Sequence, residues 1–294
     1  MLFFVNILTS GLLAGLLYAL VAIGFVLIYK ASGVFNFAQG SMVLFAALTF
    51  VTLNEHGISF EVAFAITVVI MVIGAVLIER LVLRPLVNRS ADTLFMATLG
   101  LSFVIDGLAQ LILGTDVHEL DLGIDDTPLN FLGLQISDFD IFASAVAIIL
   151  VVVLTLLFSK TRIGISLRAV ADDTLAAQSI GIRLPRIWRI VWSVSGAVAL
   201  IAGLLWGDRQ GVQFSLSLIV LKAMPVLIIG GFSSIPGAIV AGLLVGATEN
   251  IADIYIGPIL HGGSISTWFA YILATGFLLA RPNGLFGEPA TQRV

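Results

Sequence analysis

From Leu2 to Tyr29 the chain runs LFFVNILTSGLLAGLLYALVAIGFVLIY without a single charge before it meets Lys30. Apolar runs of this kind recur at roughly 3–29, 36–53, 58–78, 93–113, 140–158 and 189–207. A Gly-interrupted pair follows at about 214–230 and 236–252, and a last run lies near 267–280. About 20 apolar helical residues cross a hydrocarbon core about 30 Å thick. Inside that core every backbone N–H and C=O must be satisfied by protein, so a chain of such runs is held to helices. Only 11% of residues are charged and 59% are hydrophobic, against roughly 25% charged in a soluble domain. The expectation is an all-α, polytopic membrane protein of eight or nine transmembrane helices. The count depends on whether 214–252 forms two spans or one broken, partly re-entrant unit.

The first run has no basic n-region and is too long for a signal-peptide core, so it is expected to be retained as a helix. No long hydrophilic block interrupts the rest, and residues 1–294 are expected to form one membrane domain. The absence of cysteine excludes disulfides and thiolate metal sites. His56, His118 and His261 are dispersed without metal-ligand spacing, and HExxH and GxSxG motifs are missing. Neither an enzyme nor a nucleic-acid binder is expected.

Charge placement orients the chain. Residues 79–92 carry Arg80, Arg84 and Arg89; residues 159–189 carry Lys160, Arg162, Arg168, Arg183, Arg186 and Arg189; the tail adds Arg281 and Arg293. The 114–140 loop instead holds Asp116, Glu119, Asp121, Asp125, Asp126, Asp138 and Asp140 with no Lys or Arg. The positive-inside rule puts the basic segments and the C-terminus in the cytoplasm, and the acidic loop and the N-terminus outside. The acidic loop reads either as a solvated surface or as a docking surface for an extracytoplasmic partner.

Within the long basic loop, RIGISLRAVADDTLAAQSIGIRLPRIW predicts one short helix over 165–181. Ile165, Val170, Leu175 and Ile180 supply apolar positions, and Ala169, Ala176 and Ala177 permit close contact. Gly181 stands where a C′ glycine ends a helix, and Pro185 delays its resumption. Asp172 and Asp173 are placed to favour the helix dipole. Such a helix suits a groove on another protein, or a bilayer surface reached through its arginines.

Four segments together carry a resemblance: YKASGVFNFAQGSM, ADDTLAAQSIG followed by Leu184-Pro185, LKAMPVLIIGGFSSIPGAIVAGLLVG, and RPNGLFG. In this order, over nearly the whole chain, they resemble the permease subunits of branched-chain amino-acid-type ABC importers, a group that also handles urea and short amides. The second segment is similar to the loop that contacts the ATPase, although DDTLAA replaces the usual Glu-Ala-Ala opening. The resemblance implies a bacterial or archaeal cytoplasmic-membrane permease that moves small neutral or zwitterionic solutes, branched-chain amino acids first, by alternating access. It implies a second related permease subunit (the same chain or a different one), two ABC ATPases and an extracytoplasmic solute-binding protein. This chain has no GxxxxGK[ST] loop, so ATP is expected to be used by the partner ATPases and no cofactor is expected here. ATPase coupling falls to Arg168, Ala169, Asp172, Asp173, Ala176, Ala177 and Gly181. An ion-coupled secondary transporter is the rival class.

Two polar, glycine-containing breaks then become candidates for the solute path: Asn36, Gln39 and Gly40 in one, Gly230, Gly231, Ser233 and Ser234 in the other. GVFNFAQGSMV (33–43) and GGFSSIPGAIV (230–240) align at Gly, Phe, Gly and Val, the sign of a weak inverted repeat with broken helices. The plainer expectation is a turn broken by Gly33 with Asn36 capping the next helix. For Gly237, Gly242 and Gly246, close helix packing stands beside a path-lining role. Asp106 and Lys222 are the notable charges in the spans; they pair with each other, or Lys222 snorkels or meets a partner.

Overall fold

The computed structural model describes residues 2–86, 89–124, 127–131, 134–260, 265–282 and 284–287. Asp125, Asp126, His261, Arg293 and the Asn283 of RPNGLFG lie outside these residues. The helices are α1 Leu2–Ser32, α2 Gln39–Glu55, α3 Phe60–Ile78, α4 Ala91–Leu113, α5 Asp138–Lys160, α6 Arg162–Asp172, α7 Thr174–Ser179, α8 Leu184–Gln210, α9 Ile219–Gly230, α10 Ile235–Tyr255 and α11 Ser266–Ala280. A π-helical turn, Glu79–Leu83, continues α3. Among the described residues, six segments are long and apolar enough to cross a membrane: Leu2–Ser32, Phe60–Leu86, Asp92–Leu113, Asp138–Lys160, Leu184–Gln210 and Ile235–Ile259. Phe214–Gly230 and Trp268–Ala280 are shorter apolar helical stretches. The chain is a helical, multi-pass membrane protein.

Two expectations about connections change. The acidic loop contains a two-stranded antiparallel hairpin, β1 Pro128–Phe131 and β2 Leu134–Ser137, with Leu129 opposite Ile136. The single helix expected over 165–181 is two helices, because Asp173 is extended (φ −153°, ψ 105°). Its carboxylate accepts from the backbone N–H groups of Leu175 and Ala176, both at 3.0 Å, and so starts α7 afresh. The helix end is as expected. Gly181 takes φ +91°, its N–H donates to Gln178 O at 3.0 Å, and Ile182 N–H donates to Ala177 O at 3.0 Å. That is the Schellman pattern, which only a residue tolerant of the left-handed region completes without strain.

The chain divides into two compact units. One comprises residues 23–122 and 154–220, and α2 is its centre. Although α2 has only 17 residues, nearly all of those from Gln39 to Val51 are buried against α3, α4 and α8. Outward faces of α3 and α4 stay apolar and exposed, with Phe103 at 71% and Leu111 at 85%, as lipid-facing positions require. Gly203 lets α8 approach α2; a Cβ there would lie 2.6 Å from Val43 O.

The other unit comprises residues 1–22, 123–153 and 221–294. Gly11 and Gly15 of α1 face Gly246 and Gly242 of α10, so these two helices cross antiparallel with backbones nearly touching. A Cβ at Gly11 would meet Gly246 O at 2.8 Å, and one at Gly242 would meet Gly15 O at 2.6 Å. Asn250 continues the contact, its Nδ2 donating to Ile7 O at 2.8 Å. The glycine stripe on α10 is therefore a packing stripe, and its partner Gly-x-x-x-Gly on α1 is a second small-residue pair. Gly242→Leu or Gly15→Leu should lower stability by about 1–3 kcal/mol through overpacking. Thermal unfolding in detergent will show a lower midpoint for both, while Gly74→Leu, where a Cβ meets nothing within 4 Å, leaves it unchanged.

Candidate functional site

In the unit built on α2, the break between α1 and α2 is held by hydrogen bonds from neighbouring helices. Gly33 (φ +68°) ends α1, its N–H donating to Tyr29 O at 2.7 Å. Trp188 Nε1 of α8 donates to Ala31 O at 3.1 Å, satisfying a carbonyl that the helix end leaves orphaned. Thr98 Oγ1 of α4 lies 2.9 Å from Phe95 O and 3.1 Å from Phe35 O, its single proton serving one of them at a time, and accepts from Phe37 N–H at 3.4 Å. Phe25 stacks on Phe35 at 4.8 Å, and Phe37 stands edge-on between Phe35 and Phe95 at 4.6 and 4.8 Å.

Asn36 and Gln39 are fully buried. Asn36 is not the helix cap: Ala38 occupies that position, and Asn36 Oδ1 instead accepts from Ala38 N–H at 3.1 Å. Its Nδ2 reaches Gln39 Oε1 at 3.5 Å. Ser195 Oγ of α8 lies 2.8 Å from Gln39 Oε1 and 3.0 Å from Gly24 O of α1, so its single proton serves one of the two acceptors at a time. Gly24 makes room for the end of the Gln39 side chain, which would have to shift if a Cβ stood there. Gln39 Nε2 is itself buried with no hydrogen-bond partner among the described residues. Gly40 lets the start of α2 press against the Ser217 carbonyl. The amide pair therefore ties α1, α2 and α8 together and leaves one strong donor unspent.

The second break lies in the other unit. Gly230 ends α9, Gly231 takes φ +94°, and Ser234 Oγ caps α10 by accepting from Gly237 N–H at 3.0 Å. The RPNGLFG tail closes this turn: Leu285 N–H donates to Ile229 O at 2.7 Å and Phe286 N–H to Gly230 O at 3.3 Å. Gly230 and Gly231 are buried, while Ser233 and Ser234 are half-buried. Like 33–40, this segment has a left-handed glycine, an irregular turn and a restarted helix whose glycine packs on a carbonyl, here Gly237 against Gly230 O. The two left-handed glycines fall one position apart in the sequence alignment.

The basic segments 79–92 and 159–189 come together at one end of the α2-centred unit. Arg189 Nε lies 3.7 Å from the buried Glu79 carboxylate. Arg84, Arg183, Arg186 and Arg189 line one cavity of about 600 Å³, and Arg162, Arg183 and Arg186 line another of about 600 Å³. Arg168 ties α6 to the end of α5, donating to Phe158 O at 2.8 Å. Ala177 is buried, Ala169 and Asp173 are half-buried, and Asp172, Ala176 and Gly181 are exposed. On α7 the apolar Leu175 (72% exposed) and the following Ile180 (76%) face outward.

Sequence reading missed several partners. Gly24 and Ser195 sit inside apolar runs with nothing to mark them. Glu249 falls near a helix end by sequence, but α10 extends to Tyr255, which leaves it buried inside the helix. Lys222 meets Glu249 at 3.6 Å, whereas the buried Asp106 Oδ1 has no hydrogen-bond partner among the described residues.

A family model described as "Branched-chain amino acid transport system / permease component" matches residues 7–281. The chain is 29% identical to the high-affinity branched-chain amino acid transport system permease protein BraD of Pseudomonas aeruginosa, over 98% of this chain and 97% of BraD. It is 31% identical to the probable branched-chain amino acid transport permease protein LivH of Methanocaldococcus jannaschii, over 96% and 92%. It is 26% identical to the high-affinity branched-chain amino acid transport system permease protein LivM of Escherichia coli, over 78% of this chain and 60% of LivM.

Ser195→Ala removes the hydroxyl between Gln39 and Gly24. It should destabilise the protein by about 0.5–1.5 kcal/mol, the net worth of one intramolecular hydrogen bond. The lowered unfolding midpoint in detergent checks this, and Ser195→Thr should recover part of the loss.

Proposed function

The chain belongs to the branched-chain amino acid transport system permease family, and from that premise we propose that it is the membrane-spanning subunit of an ATP-binding-cassette importer in a cytoplasmic membrane. It moves small neutral or zwitterionic solutes, branched-chain amino acids first among them, and is itself no enzyme. Two partner ATPases bind and hydrolyse ATP, a second related permease subunit completes the path, and an extracytoplasmic binding protein delivers the solute. Eight or nine helices cross the membrane, the shorter α2, α9 and α11 among them, with the N-terminus outside and the C-terminus in the cytoplasm. The clustering of Arg84 with Arg183, Arg186 and Arg189 at one end supports that orientation.

The observation that carries the coupling assignment is α7. It is a short helix fixed at both ends, by Asp173 and by Gly181, yet it presents Leu175 and Ile180 outward. Rigid ends transmit displacement, and exposed aliphatic side chains on a rigid helix suit a groove on another protein. Arg168 and Gly164 fix α6 to the end of α5, since a Cβ at Gly164 would strike Phe158 O. Motion of α7 and α6 therefore reaches a spanning helix without slack. In alternating access the ATPases favour one arrangement of the spans, and the shift can be no larger than their difference in affinity for the two. Asn36, Gln39 and Gly40, and Gly230, Gly231, Ser233 and Ser234, are proposed to move with the path in each unit. Gln39 Nε2, which has no acceptor among the described residues, is proposed to gain one in the other arrangement.

Leu175→Asp together with Ile180→Asp should leave the isolated permease folded and cut its co-purification with the co-encoded ATPase by about tenfold or more, as loss of two buried aliphatic anchors implies. Unchanged co-purification and unchanged uptake would refute the coupling assignment. Gly181→Pro or a bulky residue at Ala176 should abolish transport while membrane insertion persists.

A further inference from the structure

In the unit of residues 1–22, 123–153 and 221–294, three helices bring a phenol, an ammonium and a carboxylate together. Tyr18 Oη of α1 donates to Glu249 Oε1 of α10 at 3.2 Å. Lys222 Nζ of α9 lies 3.4 Å from Tyr18 Oη, 3.6 Å from Glu249 Oε1 and 5.6 Å from the centre of the Tyr18 ring. Tyr18 sits in the middle of the 31-residue α1, about 24 Å from its start at 1.5 Å per residue. Local geometry explains the meeting. The glycine pairs at 11/15 and 242/246 draw α1 and α10 together antiparallel, and side chains lean toward their own helix N-termini. Tyr18 and Glu249 therefore lean toward each other across the crossing. Tyr271 Oη of α11 donates to Leu221 O at 2.8 Å and so fixes the residue next to Lys222.

A purely structural buried pair offsets its desolvation only through short, well-directed bonds. Here both Lys222 contacts exceed the ~2.7–3.2 Å of a normal N–H···O bond. The Lys222 side chain is 34% exposed, whereas that of Glu249 is 8% exposed. A reachable cation thus stands in front of a shielded anion, and a phenol that can donate or accept stands beside both.

We propose that Lys222, Glu249 and Tyr18 form the subsite that takes the charged head of a zwitterionic solute, the carboxylate on Lys222 and the ammonium on Glu249. This rests on the importer reading and adds the residues that hold the solute's charged head. A zwitterion replaces the loose internal ion pair with two matched ones, with no net charge moved into the membrane. Urea or a short amide has no group that repays separating these charges, so the subsite selects against them. The neutral amides of Asn36 and Gln39 make no such distinction.

The test uses the permease reconstituted with its co-encoded second permease, ATPases and binding protein, with leucine as the probe. Wild-type complex lacking ATP-dependent leucine uptake would refute the importer reading itself, whatever the variants do. Given wild-type uptake, Lys222→Met with Glu249→Gln removes both charges at similar volume. A pair that only packs leaves no orphan charge in this variant, and uptake stays within about twofold. The subsite instead requires a fall of about tenfold or more with the assembled complex and its unfolding midpoint intact. Retained uptake overturns the proposal. Should that variant fail to assemble, Lys222→Cys decides, because the chain contains no other thiol. A charged methanethiosulfonate reagent should label Cys at this position, and leucine-loaded binding protein with ATP should slow the labelling relative to empty binding protein. A rate that loading leaves unchanged overturns the proposal.

Discussion

A helix that stops where little water reaches must give its last carbonyls, and the first amides of the next helix, to other protein groups. The breaks after Ser32 and after Gly230 obey this constraint, and the rest of the structure is arranged around them. The first draws on Trp188, Thr98 and the Asn36 carboxamide. The second draws on the Ser234 hydroxyl and on the backbone of the terminal RPNGLFG segment. Each break therefore recruits groups from another helix or a distant segment, and becomes a point where several elements are tied together.

The same constraint explains which residues are small and which are polar. With lipid outside and apolar side chains inside, burial alone does not choose one helix arrangement over another; close backbone contact and hydrogen bonds do. Glycines at 11, 15, 242 and 246 set the approach of α1 to α10, and Gly203 sets that of α8 to α2. Gly24, Ser195 and Gln39 form a polar tie in which glycine makes room for the amide that the hydroxyl then reaches. Glu249 and Lys222, carried at depth, are tolerated because they share Tyr18 as well as each other.

Much of this is readable from sequence, for physical reasons. Long apolar runs leave little freedom, so the helical segments fall close to the expected positions, and Gly181 ends its helix as expected because few residues accept φ +91°. The extended residue Asp173 is not readable: DDT within an otherwise helical stretch carries no breaker, and its carboxylate makes the cap only once the turn exists. The amide pair is marked by its oddity, but its partners are not, because Ser195 and Gly24 are common residues in apolar runs. Glu249 is misplaced by a sequence boundary three residues short of the Tyr255 end of α10, and with it the partner of Lys222. Tertiary contacts, not local pattern, decide such pairings.

In the proposed importer the elements divide the labour: α7, capped at both ends, meets the motor, α6 and α5 carry its motion, and the two breaks give the spans places to move. The most direct measurement is leucine uptake into proteoliposomes containing the permease and its co-encoded partners, with a protonophore present and ATP either enclosed or absent. Uptake that needs enclosed ATP and survives the protonophore is the predicted result. Uptake by this chain alone, driven by an ion gradient and abolished by the protonophore, would contradict the account.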